Sequence, residues 1–295
     1  MRHKNYRHTT IIVFLFPMTL VYLVFAVFPT LGSFYLAFFD WQGIQGVPLV
    51  FNGIDNFVRV FANEEFLLSI FNILWFVLVS VFLQVIIGYL LAFLIYDAKH
   101  LVRFFKAAFF IPMVIPVTAS AILWGIILKP NDSGILNHFL ISLGLENLGR
   151  AWLVESGTAL NSLAWVNAWS SFGYYMIIGL AALAAIPAET LEAATIDGAS
   201  KLQRVGMIMI PLIWESVALS IVMVITGCLK TFDIVFVMTG GGPNGLTYLP
   251  SILMYNEAFK YNHFGIGSAM SVVIFFMSLA ITLVSLKLLK RRVTE

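Results

Sequence analysis

Leu191-Glu192-Ala193-Ala194-Thr195-Ile196-Asp197-Gly198-Ala199-Ser200, continuing through Lys201 and Arg204 to Ile210-Pro211, is an island of charge and small residues in an otherwise apolar chain. Local rules read it as a short helix, a turn and a second short helix. Pro187 suits a first helical turn, Glu189 favours the positive end of the helix dipole, and Glu192-Ala193-Ala194 are good helix formers. Gly198 permits a sharp turn, Ser200 can restart a helix as a cap, and Pro211 is expected to end the pattern. A helical hairpin this small cannot bury a core of its own, so it must dock on something.

What surrounds the island sets the class. The chain is 60% apolar and 11% charged, against roughly 45–50% and 25% for soluble domains, which makes it a membrane protein. Its one cysteine, Cys228, excludes an intrachain disulfide, and His3, His8, His100, His138 and His263 lack paired spacing, so no metal site is expected.

Working outward, a basic leader (1–10, with Arg2, Lys4 and Arg7) precedes a first span at 11–39, too long for a signal-peptide core and without a small-residue cleavage site. Segment 40–65 is an outer loop in which Ile54, Phe57, Val58 and Phe61 fall at helical spacing, predicting a short amphipathic helix at the interface. Five more spans follow within 66–286: 66–96, 107–128, 159–185, 212–238 and 266–286. Pro112 and Pro116 predict a kink in the third, and Ile135 to Leu143 carry another amphipathic stripe stopping at Gly144. A basic tail, 287–295, closes the chain.

The distribution of Lys and Arg orients these spans. Arg2, Lys4, Arg7, Lys99, Arg103, Lys106, Lys201, Arg204, Lys287, Lys290, Arg291 and Arg292 fall on one side; Arg59, Lys129, Arg150 and Lys260 fall on the other. The positive-inside rule then places both termini, and with them segment 187–211, in the cytoplasm. The expected fold is all-α: a polytopic protein of six transmembrane helices.

The spaced elements Glu192-Ala193-Ala194, Asp197-Gly198-Ala199 and Ile210-Pro211, between two apolar spans, closely resemble the EAA loop of permease subunits of binding-protein-dependent ATP-binding-cassette importers. Phe51-Asn52-Gly53-Ile54-Asp55-Asn56-Phe57 is similar to the G-L-D-N-[YF] segment of sugar permeases, with Ile54 for leucine. Lys230-Thr231-Phe232-Asp233, then Thr239-Gly240-Gly241-Gly242-Pro243 and Thr247, resemble the end of their fifth span and the loop after it. These point to the carbohydrate-uptake branch, similar to the first permease subunit of maltose- and glycerol-3-phosphate-type systems. The chain departs from the maltose permease in lacking extra amino-terminal spans and a large insertion after the first, and Glu215 puts an acid just past Pro211, where it could alter docking or pair with Arg204 or Lys201.

The resemblance implies the type I importer permease fold in a bacterial cytoplasmic membrane, where 187–211 fits a cleft on the ATPase. Glu192, Ala193, Ala194, Asp197, Gly198, Ala199, Ser200 and Pro211 would form that coupling site. It also implies partners: a second homologous permease completing a heterodimer, two ATPase subunits, an extracytoplasmic solute-binding protein, and a carbohydrate substrate, with no nucleic acid. ATP and magnesium would be bound by the ATPase; the chain has no phosphate-binding loop of its own and no catalytic constellation, so neither cofactor nor enzyme activity is expected.

Charges within spans usually face a bundle interior or a watery cavity. Lys230 and Asp233, at helical i, i+3 spacing, either line the outer path or form a structural ion pair. Phe232, Gln84, Asn72, Asn167, Trp169 and Tyr174 are further path candidates, because amides bond sugar hydroxyls and aromatic faces stack on sugar rings; equally, such amides glue helices together. The alternatives from other classes are an ion-gradient-driven secondary transporter of a small polar solute, against which stand the absence of an internal repeat and the single firm intramembrane acid, and an assembly subunit with no path of its own.

Overall fold

The computed structural model describes residues 13–44, 46–96 and 102–289. The leader 1–10, the core of the basic loop at 97–101 and the tail beyond Leu289 lie outside the described residues. The described chain is helical apart from turns and one small antiparallel hairpin, β1 (Phe39–Asp40) with β2 (Val50–Phe51), which the all-α expectation did not include.

Among the described residues three helices are long and apolar enough to cross a bilayer: α1 (Val13–Leu36), α3 (Glu64–Tyr96) and α13 (Phe264–Leu289). Three bent pairs bring the number to as many as six if each pair counts as one span. They are α4 (Val102–Val114) with α5 (Val117–Ile127), bent by 96°; α7 (Ala159–Ala184) with α8 (Ala188–Ile196), bent by 74°; and α9 (Lys201–Leu212) with α10 (Trp214–Cys228), bent by 69°. Proline chemistry accounts for two of the breaks. Pro116 (ψ 135) and Pro187 (ψ 131) both leave the helical region and stand as N-caps of the helix that follows, and each ring restricts the residue before it. The predicted kink in the third span is thus a full corner.

Pro211 behaves otherwise than expected. The helix runs through it to Leu212 and breaks at Ile213 instead. The turn before it, Arg204–Met209, is a π-turn, whose i→i+5 bonding already interrupts the regular ladder, so a missing N–H is tolerated there. Further π-turns occur at Leu23–Val27, Phe82–Ile86 and Asn256–Lys260. The fifth span is also discontinuous: α10 ends at Cys228, a turn covers 229–232, and a short helix, α11 (Asp233–Met238), follows.

The chain forms two compact units. In the first (1–64 and 253–276), α1 carries no buried residue. Phe34 near its end meets Phe275 and Phe276 edge-on at 5.5 and 5.9 Å. After the hairpin comes α2 (Asp55–Ala62), held by Asn56, whose Nδ2 donates to the carbonyls of Ala37 (3.0 Å) and Phe39 (2.9 Å) while its Oδ1 accepts from Asn52 (3.1 Å). The asparagine of the G-L-D-N-like segment is therefore a clip for the end of α1.

In the second unit (65–252 and 277–295), α7 is the central helix, packing against α3, α4, α5, α10 and α11. It does so through missing side chains. A Cβ on Gly173 would lie 1.8 Å from the carbonyl oxygen of Phe109, so α4 approaches backbone to backbone. Small residues permit such close crossings in membranes, where packing rather than water expulsion holds helices together. The loop between α5 and α7 carries α6 (Ile135–Ser142), which closes on Gly144 (φ +71) as the sequence predicts. That loop is organised by Asn137, which donates to the carbonyls of Lys129 (3.3 Å) and Arg150 (2.9 Å) and accepts from the Trp152 indole (2.8 Å).

Candidate functional site

The charged island folds as a helical hairpin, α8 and α9, joined by a tight turn. Asp197 caps α8, Gly198 takes φ +79, and two reverse bonds seal the end: Gly198 N–H to the Thr195 carbonyl (3.1 Å) and Ala199 N–H to that of Ala194 (3.0 Å). This is the Schellman arrangement, which consumes carbonyls that a helix end leaves unpaired. Ser200 then opens α9 with a capping box: its Oγ accepts from Gln203 N–H (3.3 Å), and Gln203 Oε1 accepts from Ser200 N–H (2.8 Å). Arg204 Nη1 donates across the hairpin to Thr195 Oγ1 at 3.1 Å, tying the two helices.

Of the EAA-like residues, Ala194 is buried while Glu192, Ala193, Asp197, Gly198 and Ser200 are exposed, with Ala199 and Pro211 in between. The same hairpin carries three apolar side chains in the open: Ile196 and Leu202, each 86% exposed, and Met207, 75% exposed. The hairpin's backbone is closed by its own turn and cap bonds, while its surface carries exposed apolar side chains. Glu215 lies in the first turn of α10, where a carboxylate meets the favourable end of the helix dipole. Among the described residues no ion pair joins it to Arg204.

The path candidates separate into groups. Lys230 and Asp233 do not share a helix face: Lys230 lies in the turn after α10, Asp233 opens α11, both are exposed, and among the described residues no ion pair links them. Between them Phe232 stacks on Phe236 at 5.0 Å. Asn72 spends its amide on the carbonyls of Leu246 (3.3 Å) and Tyr248 (3.0 Å), fastening α3 to the loop after α11. Gln84 is buried within the π-turn of α3, its Nε2 without a hydrogen-bond partner among the described residues. Asn167 reaches the Cys228 sulfur at 3.7 Å, Trp169 meets Trp124 edge-on at 5.5 Å, and half-buried Tyr174 abuts Tyr175.

Sequence reading did not single out several further buried polar groups. The Ser80 and Ser120 hydroxyls and the Trp124 indole nitrogen, like Gln84 Nε2, are buried without a hydrogen-bond partner among the described residues. Trp75 donates to Asn161 Oδ1 at 2.9 Å beside a groove of about 660 Å³ lined by Asn72, Phe71, Leu160 and Leu246. The serines carry no signal in a membrane chain, where they are common, and the Trp75–Asn161 pair is 86 residues apart. The glycine run 240–242 forms a turn: Thr247 Oγ1 donates to the Gly242 carbonyl (2.9 Å) and lies 2.8 Å from Thr239 Oγ1.

Apolar helices long enough to cross a bilayer, three of the pairs sharply bent, define a membrane protein, and the exposed hairpin interrupts them. The chain belongs to the family of binding-protein-dependent transport system inner membrane components, matching it over residues 6–295. It is 34% identical to the probable ABC transporter permease protein YurN of Bacillus subtilis, over 94% of each chain. It is 33% identical to the trehalose/maltose transport system permease protein MalF of Thermococcus litoralis, over 92% of this chain and 90% of that one. Its fold superposes, with a TM-score of 0.85 and 23% identity over 99% of both chains, on a chain of a bacterial ABC transporter involved in the import of the acidic polysaccharide alginate.

Proposed function

We propose that this chain forms half of a carbohydrate translocation path and couples it to ATP hydrolysis through the hairpin 187–211. The observation that carries this reading is the surface of that hairpin. Glu192 and Asp197 are exposed beside Ile196, Leu202 and Met207 on a backbone locked by a Schellman turn and a capping box. Large exposed apolar side chains around fixed charges suit a protein partner. A second homologous permease completes the path, two ATPase subunits grip the hairpins, and a solute-binding protein delivers sugar to the outer loops. ATP and magnesium act in the ATPase. Sugar-importing relatives such as the Thermococcus permease support the substrate class.

In this reading the six spans rock between outward- and inward-facing states as the ATPase pair closes and moves the hairpin. Lys230, Phe232 and Asp233, in the broken part of the fifth span, would face the solute, as discontinuous helices do in other transporters. Asn167, Trp169, Tyr174 and Gln84 would line the seam that opens. Asn72 is engaged with backbone and serves the loop first.

The test is ATPase activity of the reconstituted complex, purified through this chain, across a panel of sugars with their binding protein, with and without Glu192→Ala. Stimulation by one sugar, lost in the variant while the complex stays assembled, is expected. Absence of any co-purifying ATPase would overturn the coupling reading and favour a gradient-driven transporter.

A further inference from the structure

The structure assigns a lipid contact to α2: its apolar stripe, Ile54, Val58 and Phe61, together with Phe51 of the hairpin, is seated in the bilayer surface at the end of α1. This goes beyond the transport reading and does not depend on the hairpin 187–211.

Three observations place the helix at that depth. First, α1 is 24 residues long, or roughly 36 Å at 1.5 Å per residue, enough for a hydrocarbon core of about 30 Å. Its last turn therefore lies where the chain leaves the acyl region. Second, the Asn56 amide, buried, bonds the Ala37 and Phe39 carbonyls immediately after that turn, so α2 is fastened at the level at which α1 emerges. Third, aromatic residues gather at the same level within this unit. Tyr35 lies 4.4 Å from Phe39, and Trp41 lies 5.4 Å from Phe264. Tyr and Trp mark headgroup boundaries.

The distribution of side chains around α2 selects the occupant. Asn56 and Val60 form the buried face, turned to protein. Asp55 and Arg59 form a second face, joined at 2.9 Å and half exposed. Ile54, Val58 and Phe61 form the third, all exposed, while Phe57 at its edge leans on Phe38 at 5.4 Å. Protein, water and hydrocarbon thus each receive one face, which is the pattern of a helix lying in an interface. The stripe follows directly on α1, a span none of whose described residues is buried.

The experiment uses the assembled complex in lipid nanodiscs. Cys228 is the only cysteine, so a Cys228→Ser background allows single spin labels at Val58→Cys, Phe61→Cys and Arg59→Cys. The expected result is oxygen accessibility several-fold above that of a water-soluble nickel chelate at 58 and 61, with the order inverted at 59. Nickel accessibility at 58 and 61 would overturn the assignment in favour of water. Immobilised labels shielded from both reagents would overturn it in favour of a protein occupant. Each label reports independently, so loss of assembly in one variant leaves the others to decide.

Discussion

Gly198 is the residue on which the hairpin turns. Its φ of +79° costs an ordinary L-residue about 1–2 kcal/mol, and a β-branched side chain fares worse. Nothing crowds the position, since a Cβ there would meet no atom within 4 Å. Gly198→Val should therefore insert and assemble normally but tilt α8 against α9. The expected outcome is retained ATPase with sugar uptake reduced at least several-fold; normal uptake would refute the hairpin's role as a lever. Gly198 and Ser200 were legible in the sequence because turn and cap chemistry is local, acting over three or four residues. Asn56 and Asn137 were not: they serve carbonyls up to 19 and 13 residues away respectively, and an asparagine in a short helix between spans announces neither partner nor purpose.

At the scale of elements, what the sequence revealed followed the prolines. Pro116 marked a kink, although not its 96° angle, and Pro187, read only as a helix start, stands at the 74° corner. Pro211 misled, because the π-turn ahead of it absorbs the missing donor. The break at 229–232 was hidden in a hydrophobic run without any proline, so Lys230 and Asp233 were placed on a common helix they do not share. Close packing was equally silent. Gly173 looks like any membrane glycine, yet a methyl group there would press on the Phe109 carbonyl. Gly173→Ala should force α4 away from α7 and destabilise the chain by roughly 1–3 kcal/mol, the usual range for overpacking. A melting temperature of the purified complex equal to wild type would argue against that contact.

For the whole molecule, composition alone defined a membrane protein, and the family match over residues 6–295 agrees. Orientation rests on Lys and Arg, several of them outside the described residues, and can be measured directly. In the Cys228→Ser background, single cysteines at Leu202 and Leu148, both exposed, should react with a membrane-impermeant maleimide from opposite sides. Leu202 should label only in inverted vesicles and Leu148 only in intact cells; labelling of both from one side would reverse the six-span topology.

The π-turns at Leu23–Val27, Phe82–Ile86, Arg204–Met209 and Asn256–Lys260 bear on how such a chain can change length. A residue removed from a regular helix rotates everything beyond it by about 100° relative to its neighbours, turning buried faces outward. A residue removed from a π-turn merely restores the ordinary winding, and the flanking segments keep their phase. These are the places where the chain can shed a residue without losing register, and gaps between diverging relatives should gather there.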